Sequence, residues 1–389
     1  MRSQSNQQGV ALIIALVITT IAVSLASLAM YRQQLQIRLS TNISNLEQAY
    51  EYAAGMEDWS KKILEQDYKD DPKVDSLQED WASDLPPIAI PGGSLKGRLF
   101  DLQGRINLNS LNNTFKKIKP KSNPNGSPGS SPNDGPPGSS PNDGPPGSSP
   151  NDGPPGSSPN GPQGTPQKPT FKTETLVYNI VANLITTIDK EQTLGPPENF
   201  SDTLKDWIDK DDAESQGGAE SSYYQSQEHP YMSANSLLMD KSELILLKGM
   251  TKEITEKLLP LVSTLPKDSK INVNTAEKEV LEAIGFDQET IADIKSARDE
   301  TPFKTMQDFW NLDKVKTFFA PTTEAGKKKA NYQQILSNTS DYFLLQGQVN
   351  INNARLFINS VLERKNGKVR VIMRDYSKPA ITTSSTKSS

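Results

Sequence analysis

The chain of 389 residues is long enough for two or three domains with hydrophobic cores of their own. It has no cysteine, which excludes disulfide bonds, cysteine-based zinc sites and a thiol nucleophile. The formal net charge of −5 argues against a general affinity for nucleic acid, because binding to phosphates needs a basic surface. A serine hydrolase would have to use the one histidine, His229, and no nucleophile motif lies near it.

The N-terminus joins a short polar segment to a long apolar one. Residues 1–9 are polar with one arginine, whereas Val10–Met30 is uncharged and apolar. At about 1.5 Å rise per helical residue, the apolar stretch can cross the ~30 Å core of a bilayer, with the preceding residues on the cytoplasmic side. Apolar residues then recur at steps of three and four as far as Ala53. We therefore predict one helix over residues 10–54, transmembrane in its first half and amphipathic in its second, with Gly55 as its terminator.

Two other interpretations of the apolar stretch stay open. It is also compatible with an ordinary membrane anchor, or with a cleaved secretory signal that has Ser27-Leu28-Ala29 as its small-residue cleavage site. The stretch exceeds the usual signal core of about 7–15 apolar residues, and the helical pattern continues past it. Both observations favour a retained helix.

The rest of the chain alternates between strand-like, low-complexity and helical segments. Alternating apolar and polar residues at 95–108 predict two short strands around a glycine-containing turn, and the end of the chain predicts further strands with a hairpin turn at Asn366-Gly367. Ser242 and Thr275 are candidate N-caps of helices between these strands. The segments beyond the first helix are 55–112 (sheet, first part), 113–170 (a disordered tract of repeated GSSPNDGPP), 171–341 (helical domain), 342–376 (sheet, second part) and 377–389 (a disordered tail). The simplest assembly is an α+β fold, with one antiparallel sheet packed on the N-terminal helix and a mainly helical domain inserted in it.

An acidic segment is the first candidate for chemistry. Six carboxylates lie between Asp206 and Glu220, together with a Gly-Gly pair. Carboxylates this close repel one another unless they are solvated or bridged by a cation, and calcium takes about 6–8 oxygen ligands in flexible geometry. The ligand order of an EF-hand fails at Asp212 and Ala213. From composition alone, a solvated acidic loop and a calcium loop both stay open.

A second candidate begins at Ile271. Residues 271–304 resemble the helix-hairpin-helix domains of DNA-binding proteins, whose glycine-rich hairpin presents backbone N–H groups to a phosphate. Here the hairpin from Ala283 to Asp287 lacks the second glycine and adds a carboxylate, and several glutamates lie close by. These charges repel phosphate, so a structural use of the hairpin is favoured and no nucleic-acid partner is expected. A membrane-anchored DNA-binding protein of the competence type is the alternative.

Several segments together resemble one family. A polar leader that ends in Gly9 and runs directly into an apolar helix is typical of type IV pilins and pseudopilins. Within that group, residues 101–109 (DLQGRINLN), the W-I-D-x-D…G-A-E-x-x-Y pattern from Trp207 and the I-N-V-N-T-A segment from Ile271 resemble the K-type minor pseudopilins of the bacterial type II secretion system. Most of the group has glutamate at the fifth position after the leader. This chain has Ile14 there, and the K type is the member that lacks the glutamate.

The resemblance implies a fold and a maturation step. The fold is that of a pseudopilin, in which a long N-terminal helix packs on an antiparallel sheet, with a large inserted, mainly helical domain. Prepilin peptidase would cut after Gly9 and methylate Val10. The mature chain would be a single-pass protein of the bacterial inner membrane with its C-terminal bulk in the periplasm.

The resemblance also implies a function, partners and a metal. The chain would be a non-enzymatic minor pseudopilin at the tip of the pseudopilus, where it primes or caps filament assembly for export of folded proteins across the outer membrane. Its partners would be the I-type and J-type minor pseudopilins and the major pseudopilin. The family binds calcium in its helical domain. Asp209, Asp211 and Glu220 fall on the family pattern, and Asn235 is a further candidate ligand.

Overall fold

The structure is a computed structural model that describes residues 7–83, 86–112, 173–266 and 269–378. The predictions for most of the leader, for the repeat tract and for the end of the tail lie outside these residues. The helices are α1 (Gln7–Asp70), α2 (Thr173–Ile188), α3 (Pro197–Ile208), α4 (Ser221–Gln225), α5 (Lys252–Leu258), α6 (Lys278–Ile284), α7 (Gln288–Glu300), α8 (Met306–Trp310), α9 (Asp313–Phe318), α10 (Glu324–Lys327) and α11 (Lys329–Ile335). The strands are β1 (Ile88–Ile90), β2 (Gly93–Asp101), β3 (Ile106–Asn107), β4 (Val262–Ser263), β5 (Ile271–Asn272), β6 (Leu336–Ser337), β7 (Tyr342–Ile351), β8 (Ala354–Lys365) and β9 (Lys368–Asp375). Short 3₁₀ helices span Asp80–Ala82, Leu108–Asn112 and Lys241–Leu246.

The first helix is longer than the sequence pattern indicated. α1 has 64 residues, continues through Gly55 and ends at Asp70, shortly before Pro72. The predicted end at Gly55 is therefore wrong. A glycine inside a helix costs about 1 kcal/mol, whereas burying Met56 or Leu64 on the following turns contributes about 1.5–3 kcal/mol for each side chain. Packing on the sheet thus outweighs the local preference of glycine.

The N-terminal half of α1 stands clear of the protein. Its apolar side chains are exposed from Val10 to Met30, and none of the most apolar stretch is buried. Within the described residues, α1 is the one helix long and apolar enough to cross a membrane. An apolar surface of this size is stable in a bilayer and not in water. The helix is therefore consistent with a single-pass membrane anchor.

The main sheet has five antiparallel strands in the order β1-β2-β7-β8-β9. β2 pairs with β7 over its whole length, from Gly93 opposite Ile351 to Asp101 opposite Phe343. β8 and β9 form the predicted hairpin, and both turn residues, Asn366 and Gly367, have positive φ. Two consecutive positive φ values are the type I′ geometry that Asn-Gly favours, so this prediction is confirmed.

One face of the sheet packs along the C-terminal half of α1. Alternate residues of β7 and β8 point to the helix and form a buried core with it, which includes Ala49, Ala53, Met56, Leu64, Phe343, Leu345, Val349, Ile351, Leu356, Ile358 and Leu362. Gly97 and Gly347 lie opposite Met56, whose methyl carbon is 2.6 Å and 2.7 Å from the positions that their Cβ atoms would occupy. These two glycines therefore make room for the methionine. The α+β pseudopilin arrangement predicted from the sequence is confirmed.

The two strands expected at 95–108 are present, but they do not pair with each other. β2 lies between β1 and β7, whereas β3 forms a parallel pair with β4 from the helical part. Ile106 donates its N–H to the carbonyl of Leu261 at 2.9 Å. The segment after β2 therefore leaves the sheet and enters the helical part at once.

Two helix caps differ from the expectation. The 3₁₀ helix at Lys241–Leu246 is capped by Asp240, which accepts the N–H of Ser242 at 2.8 Å and forms a capping box with Glu243. Thr275 caps no helix, since α6 begins only at Lys278. Its hydroxyl donates to the carboxylate of Asp101 at 2.5 Å. Thr275 thus hydrogen-bonds to a residue distant in sequence instead of capping a helix.

A buried polar cluster joins the helical part to the sheet. Asp101 at the end of β2 accepts hydrogen bonds from Thr275, from Ser340 at 2.6 Å and from the amide of Asn272 at 3.2 Å. All four side chains are buried. Because an unpaired buried carboxylate is strongly disfavoured, the donors of the helical part are fixed against β2.

Candidate metal centre

Two helix ends bring three carboxylates together. Asp209 follows α3 and donates its N–H to the carbonyl of Lys205 at 2.9 Å, whereas Glu220 precedes α4 without capping it through its side chain. Asp211 lies in the loop between them. One carboxylate oxygen from each of Asp209, Asp211 and Glu220 lies within 4.8 Å of the other two. The three strongest candidates from the sequence are thus brought into one cluster.

Two other carboxylates hold the loop in place. Asp206 accepts hydrogen bonds from the backbone N–H and the hydroxyl of Ser215, at 3.0 Å and 2.6 Å, and Asp202 accepts the N–H of Gly217 at 3.1 Å. A Cβ on Gly218 would overlap the carboxylate of Asp206. The Gly-Gly pair is therefore required for the close approach of the loop to α3.

The cluster contains buried oxygens without a partner. Oδ1 of Asp209 and Oε1 of Glu220 are buried and accept no hydrogen bond, and Glu220 is 2 % exposed. In the described part of the chain, no lysine or arginine forms an ion pair with Asp209, Asp211 or Glu220. Leaving a buried charged oxygen unpaired costs several kcal/mol. The donor set consists of hard oxygens in a flexible loop, and it fits a calcium ion.

The electrostatics agree with this geometry. Burial raises the pKa of Glu220 to about 7, with further contributions from the negative charges of Asp206, Asp209 and Asp212. Burial also raises the pKa of Asp209, and the neighbouring Asp211 adds to the effect. Both carboxylates are therefore held where ionisation is unfavourable unless a cation is near.

Asn235 lies next to the cluster and is connected to it through two other residues. Its backbone has φ of 44°, its amide donates to Asp212 at 3.3 Å, and its amide oxygen accepts the hydroxyl of Ser233 at 2.6 Å. The Ser233 hydroxyl is also 3.4 Å from the carboxylate of Glu220. Sequence reasoning missed the part played by Asp212 and Ser233. The signal was weak, since a lone serine in the Y-M-S-A-N stretch carries no pattern.

A second acidic cluster is neutralised within the protein. Carboxylate oxygens of Asp67, Asp75 and Glu79 also lie within 4.8 Å of one another. Arg364 forms ion pairs with Asp67 and Asp75, and Glu79 accepts the indole N–H of Trp81 at 2.7 Å. Here the guanidinium of Arg364 supplies the positive charge that a metal ion would otherwise supply. The loop cluster around Glu220 is therefore the candidate metal site.

The helix-hairpin-helix segment is present as α6 and α7. Gly285 joins them with φ of 109°, and Asp287 caps α7 by accepting the N–H of Thr290 at 2.7 Å. A carboxylate thus occupies the N-terminus that would receive a phosphate in a DNA-binding hairpin. His229 is exposed, and no described serine or carboxylate hydrogen-bonds to its ring. Neither the DNA-binding alternative nor a hydrolase gains support.

A long, partly apolar helix packed on an antiparallel sheet, with a helical part inserted between two strands, is the arrangement of a pseudopilin fold. Two family models, both described as "Type II secretion system (T2SS), protein K", match residues 167–267 and 271–325. The chain is 29% identical over 379 residues to type II secretion system protein K of Pseudomonas aeruginosa, covering 95% of this chain and 93% of that protein. It is 28% identical to the protein of the same name from Aeromonas hydrophila, covering 96% and 98%.

A solved structure has the same fold. It is described as the crystal structure of the GspK-GspI-GspJ complex from the type 2 secretion system of enterotoxigenic Escherichia coli. The similarity has a TM-score of 0.62 at 22% identity and covers 87% of this chain and 99% of that one. The family models, the relatives and the solved structure thus agree in relating this chain to type II secretion system protein K over most of its length.

Proposed function

We propose that this chain is the minor pseudopilin at the tip of a type II secretion pseudopilus, where it primes or caps filament assembly for protein export. The observation that carries the proposal is the continuity of α1, which runs without interruption from an exposed apolar half into the core under the sheet. Such a helix anchors the subunit before assembly and offers its apolar surface to other helices afterwards. The similar solved structure is a complex of K, I and J proteins, which supports I-type and J-type minor pseudopilins as partners.

Ile14 supports a position at the tip. In a pilin-like filament, the methylated amine of a subunit is buried among apolar helices, and a buried ammonium without a partner costs several kcal/mol. The family resemblance implies that a glutamate at the fifth mature position meets such an amine on a neighbouring subunit. A subunit with Ile14 offers no carboxylate to a neighbour above it. Ile14 therefore suits a terminal subunit and not a shaft subunit.

Maturation and location follow from the same proposal. Prepilin peptidase removes residues 1–9 after Gly9 and methylates Val10. The apolar half of α1 then remains in the inner membrane, and the sheet and helical part lie in the periplasm. Assembly joins this subunit to the I-type, J-type and major pseudopilins.

The acidic loop is proposed to bind calcium through Asp209, Asp211 and Glu220, with Asn235 and Asp212 beside them. A bound calcium ion supplies positive charge and fixes α3 against α4. Ser233 connects Glu220 to Asn235, so the segment at 233–235 is held by the same ion. The role is structural, because the cluster positions helix ends and offers no acid-base pair to a substrate.

The assembly proposal is tested by co-purification and labelling of the full chain. Co-expressed I-type and J-type pseudopilins should co-purify with it from detergent extracts, and immunogold should mark one end of each pseudopilus. Ile14→Glu should allow subunits above it and give labels within the shaft, whereas Ile13→Leu should leave the terminal labelling unchanged. Regular labelling of the unaltered protein along shafts would contradict the proposal.

A further inference from the structure

Three buried or half-buried carboxylates share one guanidinium at the end of α1. Carboxylate oxygens of Asp67, Asp75 and Glu79 lie within 4.8 Å of one another, and Arg364 forms ion pairs with Asp67 and Asp75. The side chains of Arg364 and Asp75 are 4% and 2% exposed. We refer to these four residues as the junction cluster. If all three carboxyl groups were ionised, three negative charges would face one positive charge, which is strongly disfavoured in a buried site.

Glu79 is the member of the junction cluster that has no cation of its own. In the described part of the chain, no lysine or arginine forms an ion pair with it. Its carboxyl group accepts the backbone N–H of Ser76 at 3.0 Å and the indole N–H of Trp81 at 2.7 Å. Both of these hydrogen bonds go to Oε2, so Oε1 is available to carry a proton.

The other charged groups that face the junction cluster are acidic. Asp70 lies on α1, Asp80 on the 3₁₀ helix that follows and Asp101 at the end of β2, and the negative charge of each acts on a carboxyl group of the cluster. Asp341, just before β7, lies close enough to Arg364 for their charges to interact. Among the described groups whose charges act most strongly on the cluster, Arg364 is the one cation. The surroundings therefore add to the repulsion between the three carboxylates.

Burial is the main reason that ionisation is unfavourable in the junction cluster. It raises the pKa of Asp75 to about 8 and that of Glu79 to about 7, and it raises the pKa of Asp67 as well. The charge of Arg364 acts in the opposite direction on all three groups. Because the carboxyl groups lie so close together, one proton taken up from solution removes one of three mutually repelling charges.

The segment at 71–79, which carries two of the carboxyl groups, connects α1 to the helical part. The N–H of Asp75 donates to the carbonyl of Asn338 at 3.0 Å, and the amide of Asn338 donates back to the carbonyl of Lys73 at 2.8 Å. The amide of Gln78 donates to a backbone carbonyl of α7 at 3.1 Å. A change of charge in the junction cluster therefore acts on the hydrogen bonds that hold this segment in place.

We propose that the junction cluster is a pH-sensitive connection between α1 and the helical part, which holds a proton on Glu79 when it is closed and opens locally when that proton is lost. The closed junction binds a proton that an open, solvated Glu79 would release. Since burial raises the pKa of Glu79 to about 7 from its ordinary value of 4.5, this stabilisation is complete below about pH 4.5 and is lost as the pH rises through 7. Loss of the proton leaves Glu79 ionised beside Asp67 and Asp75, and repulsion then favours exposure of the segment to water.

The test is hydrogen–deuterium exchange of the full chain in nanodiscs with calcium present throughout. Peptides that cover residues 71–79 report on the junction and not on the acidic loop. After correction for the intrinsic pH dependence of exchange, their protection should fall about tenfold between about pH 6 and pH 9, as expected for one group with a pKa of about 7 when closed and 4.5 when open.

Two variants show whether Glu79 carries the proton. Glu79→Gln keeps an oxygen that can accept the indole N–H of Trp81 and needs no proton, so its protection should change less than about twofold over the same range. The matched control is Glu51→Gln, which changes an exposed carboxylate on α1 and should leave the tenfold fall in place.

Constant protection of residues 71–79 in the parent chain would overturn the proposal, whether or not the variants fold. A tenfold fall that persists in Glu79→Gln would overturn the assignment of the proton to Glu79. An equal fall in peptides from every part of the chain would show global unfolding and would contradict a local opening at the junction.

Discussion

The guanidinium of Arg364 on β8 lies 2.7 Å from the carboxylate of Asp67 near the end of α1, although 297 residues separate them in the chain. It also pairs with Asp75 and donates to the carbonyl of Ser340 at 2.9 Å. Its planar group lies 4.8 Å from the ring of Phe343. One buried side chain thus connects the anchor helix, the sheet and the strand that follows the helical part.

Replacing Arg364 by methionine should destabilise the protein strongly. The side chain is 4% exposed, so its loss leaves two carboxylates buried without a counter-ion, which costs about 3–5 kcal/mol. Arg370→Met is the matched control, because Arg370 pairs with Glu363 on the surface and such pairs contribute about 0–1 kcal/mol. Denaturant unfolding of the solubilised chain measures both. Equal stabilities for the two variants would show that Arg364 does not stabilise the contact between α1 and the sheet.

Removal of the leader is the second prediction. Intact-mass analysis of protein extracted from membranes should show a chain that begins at methylated Val10. Gly9→Leu should block the cut and leave residues 1–9 attached, whereas Gln8→Asn should be processed normally. A terminus near Met30 would identify the apolar stretch as a secretory signal and contradict the anchor.

The third prediction concerns calcium and stability. An ion bound only by the folded protein stabilises it by mass action, by about 2.7 kcal/mol at a concentration one hundred times Kd. The melting temperature should therefore rise with calcium and fall with chelator. Asp209→Asn and Glu220→Gln should lose most of this response, and Glu300→Gln, which changes an exposed carboxylate at the end of α7, should keep it. An unchanged melting temperature in both conditions would show that the loop is a solvated acidic segment and does not bind calcium.

The contribution of Glu220 to stability in chelator should fall with increasing pH, whereas the stabilisation that calcium produces should rise. Burial raises the pKa of Glu220 to about 7, above its ordinary value of 4.5. The folded state then holds a proton that the unfolded state has released, so in chelator this contribution to stability is complete below about pH 4.5 and disappears as the pH rises through 7. Calcium needs the ionised carboxylate, so the rise in melting temperature that calcium produces should grow between about pH 5 and pH 8. A rise that shrinks over this range would exclude Glu220 as a ligand.

Features with local causes were predictable from the sequence. The Asn-Gly turn depends on two residues that tolerate positive φ, and the apolar helix depends on composition alone. The carboxylates at 209, 211 and 220 were recognised as candidates because they lie in one acidic segment and fall on the family pattern. In each case the determining residues lie within one short segment of the chain.

Features with distant causes were not predictable. Gly55 has the local properties of a terminator, and only the sheet beneath Met56 and Leu64 explains why α1 continues. Thr275 has the local properties of a cap, and only the position of Asp101, 174 residues earlier, explains why its hydroxyl turns away. Tertiary burial and hydrogen bonding outweigh local preference at both positions.

The chain leaves the main sheet after Asp101 and returns to it before Phe343, and these two residues face each other across β2 and β7. If everything between them were removed, a two-residue turn could connect the strands without changing their order. The helical part thus occupies the place of a hairpin loop, where chains tolerate the gain of a domain. The helical part, including the proposed metal site, could therefore differ between related chains without a change in the strands that pack on α1.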